Sequence, residues 1–261
     1  MYVLGSLLSD GYARLAPDSN LAGSRLMQPL GRAYDWSLNY GRGTTYHLSR
    51  FGIRMYRWKD REYNPESKSY PSSGAYDWQT QNSPLITWMR RSCLGLKDTA
   101  SKTHDPINAD WILSALPSWK KPFLQGLCDG DGCASKASQY LSIATSTNTR
   151  FFQDLLKSMK MTSHEGDGAV VISSHESVKR ANEIGIFRYA TSRKENLAKL
   201  AKMMNTYDNE RELKPAEIAL VKRMRSQRKS WGAISEALFD KFGHTLPYYT
   251  IMRRTRKLGI K

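Results

Sequence analysis

The stretch FLQGLCDGDGCAS, Phe123 to Ser135, sets Asp129 and Asp131 among three glycines at the end of an apolar run. Acids alternating with glycines raise a calcium loop first. An EF-hand-type loop needs oxygen ligands at loop positions 1, 3 and 5, glycine at 6 and an acid at 12. Counted from Asp129, the fifth place is Cys133, the sixth Ala134 and the twelfth Tyr140, so the loop fails. A zinc site fails too, because Cys128 and Cys133 have no two further ligands at useful spacing. A helix fits better. Leu124, Leu127 and Cys128 fall at i, i+3 and i+4, and Gly126 lets another backbone approach closely.

The opening residues repeat the pattern. VLGSLLSDGYA, Val3 to Ala13, aligns with LQGLCDGDGCA, Leu124 to Ala134, so that Gly5 matches Gly126, Asp10 matches Asp131 and Gly11 matches Gly132. Each copy is an apolar helix that ends in Asp-Gly and feeds a strand. Packed side by side around a pseudo-twofold axis, the two helices would bring Asp10 and Asp131 together at one end. Two adjacent carboxylates are costly unless a cation or a shared proton intervenes. Oxygen ligation suits Mg²⁺, which takes one or two protein carboxylates and fills its other positions with water and phosphate.

Composition names the partner class. Forty Lys and Arg against 24 Asp and Glu leave a net charge of +16. Such an excess points to a polyanion, because each cation placed on a phosphate releases condensed counterions. A basic surface with no specific partner is the alternative. No apolar run approaches the ~20 residues needed to cross a bilayer, no signal peptide opens the chain, and no membrane partner is expected. An odd count of three cysteines argues against a disulfide framework. The expected location is the cytoplasm, or an organelle in a eukaryote.

The middle and end of the chain add two readings. AYDWQTQNSPLITWMRRSCLGLK (Ala75 to Lys97) aligns without gaps with QYLSIATSTNTRFFQDLLKSMKM (Gln139 to Met161), each a short strand, a polar turn and an amphipathic helix. That pairing leaves residues 14–74 as a long insertion in the first half. The alternation in TTYHLSRFGIRMYRW predicts an extended β-hairpin there, with Arg50, Arg54 and Arg57 as candidate phosphate or base contacts. Residues 206–261 read as a linker and a helix-turn-helix. Three short amphipathic segments run to Gly259, with Gly243 as a helix stop, Thr245 as a cap and Pro247 in the first turn of the last helix. In that reading Arg253, Arg254, Arg256 and Lys257 lie on or beside the helix entering the major groove, with Tyr248 nearer the base edges. A small solvated helical bundle is the alternative.

FLQGLCDGDG resembles the LAGLIDADG motif of homing endonucleases, and VLGSLLSDG is a looser match that keeps the glycine, the penultimate acid and the final glycine. NADWILSALPSWKKPFLQGL and NEIGIFRYATSRKENLAKLAK resemble the family's lead-in to its second motif and its closing segment. The resemblance spans residues 1 to 204. It implies an α+β monomer of two αββαββα halves, residues 1–120 and 121–205, whose antiparallel sheets form a saddle over double-stranded DNA. The penultimate acids of the motifs, Asp10 and Asp131, would hold catalytic Mg²⁺, for which Ca²⁺ or Mn²⁺ can substitute. Asp129, matched by Leu8 in the first copy, would be structural. Tyr12 and Arg14, then Ser135 and Lys136, would face the groove or the scissile phosphates. Gln79 or Lys102, and His175 or Lys194, are candidates for polar groups around the central waters, with ordinary surface side chains as the alternative. The activity implied is site-specific cleavage of both strands with short 3′ overhangs. An intron-RNA maturase and a non-catalytic regulator built on the same domain are the competing readings.

Overall fold

The computed structural model describes residues 1–15, 23–31, 34–61, 74–96 and 105–260. The opening helix α1 (Tyr2–Leu8) is buried on every side, as a segment with apolar residues on all its faces requires. It leads into β1 (Tyr12–Leu15), β2 (Ser24–Gly31), α2 (Ser37–Ser49), β3 (Met55–Arg61), β4 (Ala75–Thr80) and α3 (Pro84–Trp88), which runs on as a π-helical turn, Met89–Cys93. The Ser83 side chain accepts from the Leu85 N–H and Pro84 fills the first turn, so sequence fixes where α3 starts. A short α4 (Trp111–Ser114) precedes the second copy: α5 (Pro117–Asp131), β5 (Gly132–Ser135), β6 (Tyr140–Ala144), α6 (Thr149–Ser158), β7 (His164–Gly166), β8 (Ala169–Ile172), α7 (His175–Ile184) and α8 (Thr191–Asn205).

Both halves therefore run αββαββα, and both form a four-stranded antiparallel sheet with the same strand order, β1-β2-β4-β3 and β5-β6-β8-β7. Register confirms the equivalence. Tyr12 pairs with Met27, Met27 with Gln79 and Gln79 with Tyr56; in the second sheet Cys133, Ser142, Val171 and His164 occupy the same chain of positions. The alternating residues Leu26, Leu30 and Trp78, and in the second sheet Leu141, Ile143, Val170 and Ile172, face one core shared by both halves.

This topology corrects the gapless alignment. The unit β4–α3 is the counterpart of β8–α7, not of β6–α6, so Ala75–Lys97 and Gln139–Met161 are not equivalent. The expected insertion at 14–74 supplies β2, α2 and β3, ordinary members of the first half, and the expected hairpin across Thr44–Ser49 is helix. Helix wins there because glycine lets α2 lie flat on its neighbours. A Cβ at Gly41 would sit 2.4 Å from the Trp78 ring, and one at Gly43 would sit 2.3 Å from the Tyr189 ring.

Three further helices, α9 (Pro215–Ser226), α10 (Trp231–Phe242) and α11 (Tyr248–Arg256), close a separate small core of Leu220, Val221, Ile234, Leu238, Leu246 and Ile251. Ser230 caps α10 by accepting from the Ala233 N–H, and Gly243 ends it at φ 72°. Glu217, 1 % exposed, accepts from the Lys214 N–H at 2.7 Å, from Arg211 and from His244. Thr245 does not cap α11 as expected. Its hydroxyl donates to the Ser235 carbonyl, and Pro247 occupies the cap position. Among the described residues no helix is long and apolar enough to cross a membrane.

Candidate active site and nucleic-acid interface

The site is built where α1 and α5 touch. An added Cβ at Gly5 would lie 2.1 Å from the Phe123 carbonyl oxygen, and one at Gly126 would lie 2.0 Å from the Tyr2 carbonyl oxygen. Backbone meets backbone from both sides, which only glycine permits. One step further along, the Ser9 hydroxyl lies 3.3 Å from the Gly126 carbonyl, and Gly130 has room for no side chain against Ser9. Ser9 and Gly130 immediately precede Asp10 and Asp131, so both acids follow directly on the contact between the paired helix ends. Both are half-buried. Both also sit at helix C-termini, whose carbonyl dipoles add negative potential.

Asp129 has a different task. Its Oδ1 accepts from the N–H groups of Arg188 and Ala190 at 2.9 and 3.1 Å, and its Oδ2 from the Tyr189 N–H at 2.9 Å and the Tyr2 hydroxyl at 2.7 Å. It is fully buried and binds the turn entering α8 to both central helices. Burial pushes this carboxyl above its ordinary value, against the pull of the four donors.

Arg193 answers from the other side. Its Nη1 donates to the carbonyls of Cys128, Asp129 and Gly130 at 3.2, 2.7 and 2.7 Å, and its guanidinium lies 3.8 Å from the centre of the Trp36 ring. This cation caps the last turn of α5, directly before Asp131. Burial lowers the Arg193 pKa, opposed first by Asp10. Tyr40 completes the floor: its hydroxyl is 3.0 Å from the Ser9 Oγ and 3.2 Å from the Gly126 carbonyl. Burial, then Asp10, holds its pKa far above the phenol range, so it remains a neutral donor.

The donors at the paired ends are carboxylate oxygens, which suit Mg²⁺ and admit Ca²⁺ or Mn²⁺. Among the described residues no three His, Cys, Asp or Glu side chains cluster as a metal cage. Asp10 and Asp131 are the carboxylates at these ends that could hold a hard divalent cation, with water and phosphate oxygens filling its other positions.

The residues expected on the sheets divide. Tyr12, 38 % exposed, lies on the outer face of the first sheet, and register puts Arg14 and Gln79 on that face with it, although the Arg14 side chain lies outside the described structure. The Gln79 amide donates to the Tyr56 hydroxyl at 3.0 Å. Arg25, Tyr56 and, past a bulge at Trp58, Lys59 share this face and went unrecognised in the sequence. Ser135 lies on the outer face of the second sheet.

The expected arginines of the first half fare worse. Arg50 ends α2, which packs on the core side of the sheet; Arg54 precedes β3; Arg57 pairs with Trp78, opposite in facing to Gln79, and bonds Asp60. Lys136 is bound to Glu236 at 2.9 Å. His175 bonds Asn205, and Lys194 projects from α8 while its neighbour Arg193 turns inward. Lys102 lies outside the described residues. In the C-terminal helices Tyr248, Arg253, Arg256 and Lys257 are exposed, but Arg254 is spent on the carbonyls of Asn209 and Arg211.

No protein-family model and no curated protein matches the sequence. Among solved structures the chain is similar to the homing endonuclease I-DmoI, at 14% identity and a TM-score of 0.45 over 70% of this chain and 92% of that one. It is similar to I-WcaI bound to its DNA recognition sequence, at 11% identity and a TM-score of 0.48 over 75% and 84%. The N-terminal LAGLIDADG domain of DUF199/WhiA follows at 14% identity and a TM-score of 0.40 over 72% and 84%. These likenesses are distant; the fold rests on the twice-repeated topology and on the glycine crossing of α1 and α5.

Proposed function

We propose that this chain is a divalent-metal-dependent, site-specific double-strand DNA endonuclease of the LAGLIDADG kind, working as a pseudo-symmetric monomer and leaving short 3′ overhangs. The observation that carries the reading is the emergence of Asp10 and Asp131 from helix ends locked together at Gly5 and Gly126, Asp10 two residues and Asp131 one residue before a sheet strand. A cation held by these carboxylates would supply Lewis-acid stabilisation of phosphate charge and a water of lowered pKa. The chain's own groups do the rest. Arg193 and Asp129 hold the α5 end rigid, Tyr40 stays neutral beside it, and Tyr12, Arg25 and Lys59 offer contacts along the first sheet, where the buried Gln79 orients the Tyr56 hydroxyl. The helices α9 to α11 act as a helix-turn-helix that extends the DNA footprint.

The test is cleavage selection from a plasmid library of random inserts, in Mg²⁺ and in EDTA. The expected result is linear product from a narrow set of inserts, in Mg²⁺ only. Tight sequence-specific binding with no strand cleavage in Mg²⁺ or Mn²⁺ would overturn the reading in favour of a regulator. Preference for structured RNA over duplex DNA would overturn it in favour of a maturase.

A further inference from the structure

The two outer sheet faces differ in charge. Arg25 and Lys59 are exposed on the outer face of the first sheet, with position 14 in register beside Arg25, and Arg57, bonded to Asp60, lies on its edge strand. The strands of the second sheet read GCAS, YLSIA, HEG and AVVI, without one lysine or arginine. The cation nearest in sequence, Lys136 in the β5–β6 turn, is paired with Glu236. A duplex lying across both sheets would find phosphate anchors over one half and none on the strands of the other.

The C-terminal helices dock at that deficient half. An added Cβ at Gly232 of α10 would fall 1.6 Å from the Ala137 carbonyl oxygen, so helix and β5–β6 turn are in backbone contact. Gln139, buried and at φ 59°, donates to the Ser235 hydroxyl at 2.8 Å and accepts the Tyr248 N–H at 3.1 Å. Lys199 of α8 bonds Glu236 and Asp240 at 2.7 and 2.8 Å, and the Thr245 N–H donates to Thr206. A left-handed, non-glycine turn residue held by two hydrogen bonds belongs to a fixed joint, not a tether. Beside this joint a cleft of about 690 Å³ brings Tyr140, His164 and Val171, from the outer face of the second sheet, against Tyr248 and Tyr249 of α11. The sheet face thus continues into a helix that carries exposed Arg253, Arg256 and Lys257.

We infer that α11 supplies the phosphate grip the second sheet lacks, from a fixed position, so that the second half and the C-terminal unit bind one uninterrupted DNA segment with a set spacing. The inference rests on the DNA-binding reading above. Its steric content is specific: the two elements cannot slide relative to each other, so added base pairs between their footprints cannot be absorbed.

The test uses the full chain on a DNA site selected by binding, with fluorescence anisotropy across salt concentrations and hydroxyl-radical footprinting. Three phosphate contacts contribute roughly 2.7 to the log–log salt slope, or about 40-fold in affinity between 50 and 200 mM salt. The variant R253Q/R256Q/K257Q should lose that much slope and lose protection on the second-half side alone. The control R25Q/K59Q should lose protection on the first-half side. Inserting one or two base pairs between the second-half and α11 footprints should weaken the unmodified protein at least tenfold. Unchanged slope and protection in the triple variant, or tolerance of the insertions, overturns the inference while leaving the DNA reading intact. Failure of the unmodified chain to bind duplex DNA overturns both. Circular dichroism of each variant checks that these surface changes leave the fold in place.

Discussion

Asp129→Asn separates a structural carboxylate from a chemical one. In the structure every lone-pair direction of this group is taken: two backbone N–H groups meet Oδ1, while a third and the Tyr2 hydroxyl meet Oδ2. An asparagine must turn an NH₂ toward one of these pairs. The less costly orientation faces Tyr189 and Tyr2, because a hydroxyl can rotate to accept while a backbone N–H cannot. The Tyr189 N–H is then left buried opposite a donor. Losing one charge-assisted bond costs about 1.5–3 kcal/mol and an unsatisfied buried donor about 1–3, so the total should be ~3 kcal/mol. Urea unfolding followed by tryptophan fluorescence should show this as a lower midpoint at unchanged slope. Asp131→Asn should fall within ~1 kcal/mol of the parent, because it removes one of two neighbouring negative charges from a half-buried position. The reasoning is refuted if Asp129→Asn is as stable as the parent, or if it abolishes cleavage while leaving stability untouched.

Two further outcomes follow from the same geometry. Gly126→Ala places a methyl 2.0 Å from the Tyr2 carbonyl oxygen and 2.9 Å from the Ser6 nitrogen, and neither backbone can retreat alone. Overpacking of this kind costs ~3 kcal/mol, or roughly 6–12 °C of melting temperature at this chain size, measurable by calorimetry; a shift below ~2 °C would contradict the helix contact. His47 is pushed down to about 4, first by burial and then by Arg188, the N-terminus and Arg50. The folded chain then binds fewer protons at this site than the unfolded chain, so stability is full above pH ~6.5 and falls as pH drops toward 4. Half-exposure limits the effect to ~1 kcal/mol. Urea midpoints across that range should fall less steeply for His47→Gln, and an unaltered slope would refute the assignment.

The parts of this protein legible in its sequence are those whose chemistry is local. A glycine at a helix crossing, an Asp-Gly at a helix end and a glycine stop each state their requirement within a few residues, and the motif helices and α10 follow from such signals. The internal alignment failed for a physical reason. Each half contains two strand-to-helix units, so a single matched unit has two possible partners, and periodicity alone chose the wrong one. The aromatic and β-branched residues of TTYHLS read as strand because the rings that make α2 favourable, Trp78 and Tyr189, come from far along the chain. Arg193 was missed by one position: successive helical residues point ~100° apart, and sequence does not fix which side of α8 meets α5. Lys136 and Arg254 looked available to DNA because nothing near them in sequence announces Glu236 or the linker carbonyls.

The central claim is that Asp10 and Asp131 together form one metal-dependent cleavage site. It is tested most directly by strand-resolved cleavage of a selected site with Asp10→Asn and Asp131→Asn in Mg²⁺, alongside binding of the same DNA. The account predicts that each substitution slows double-strand cleavage more than ~100-fold, beyond the 10–100-fold typical of groups that only support a metal ligand, while binding stays within about threefold. Cleavage by either variant at the parent's rate would contradict it.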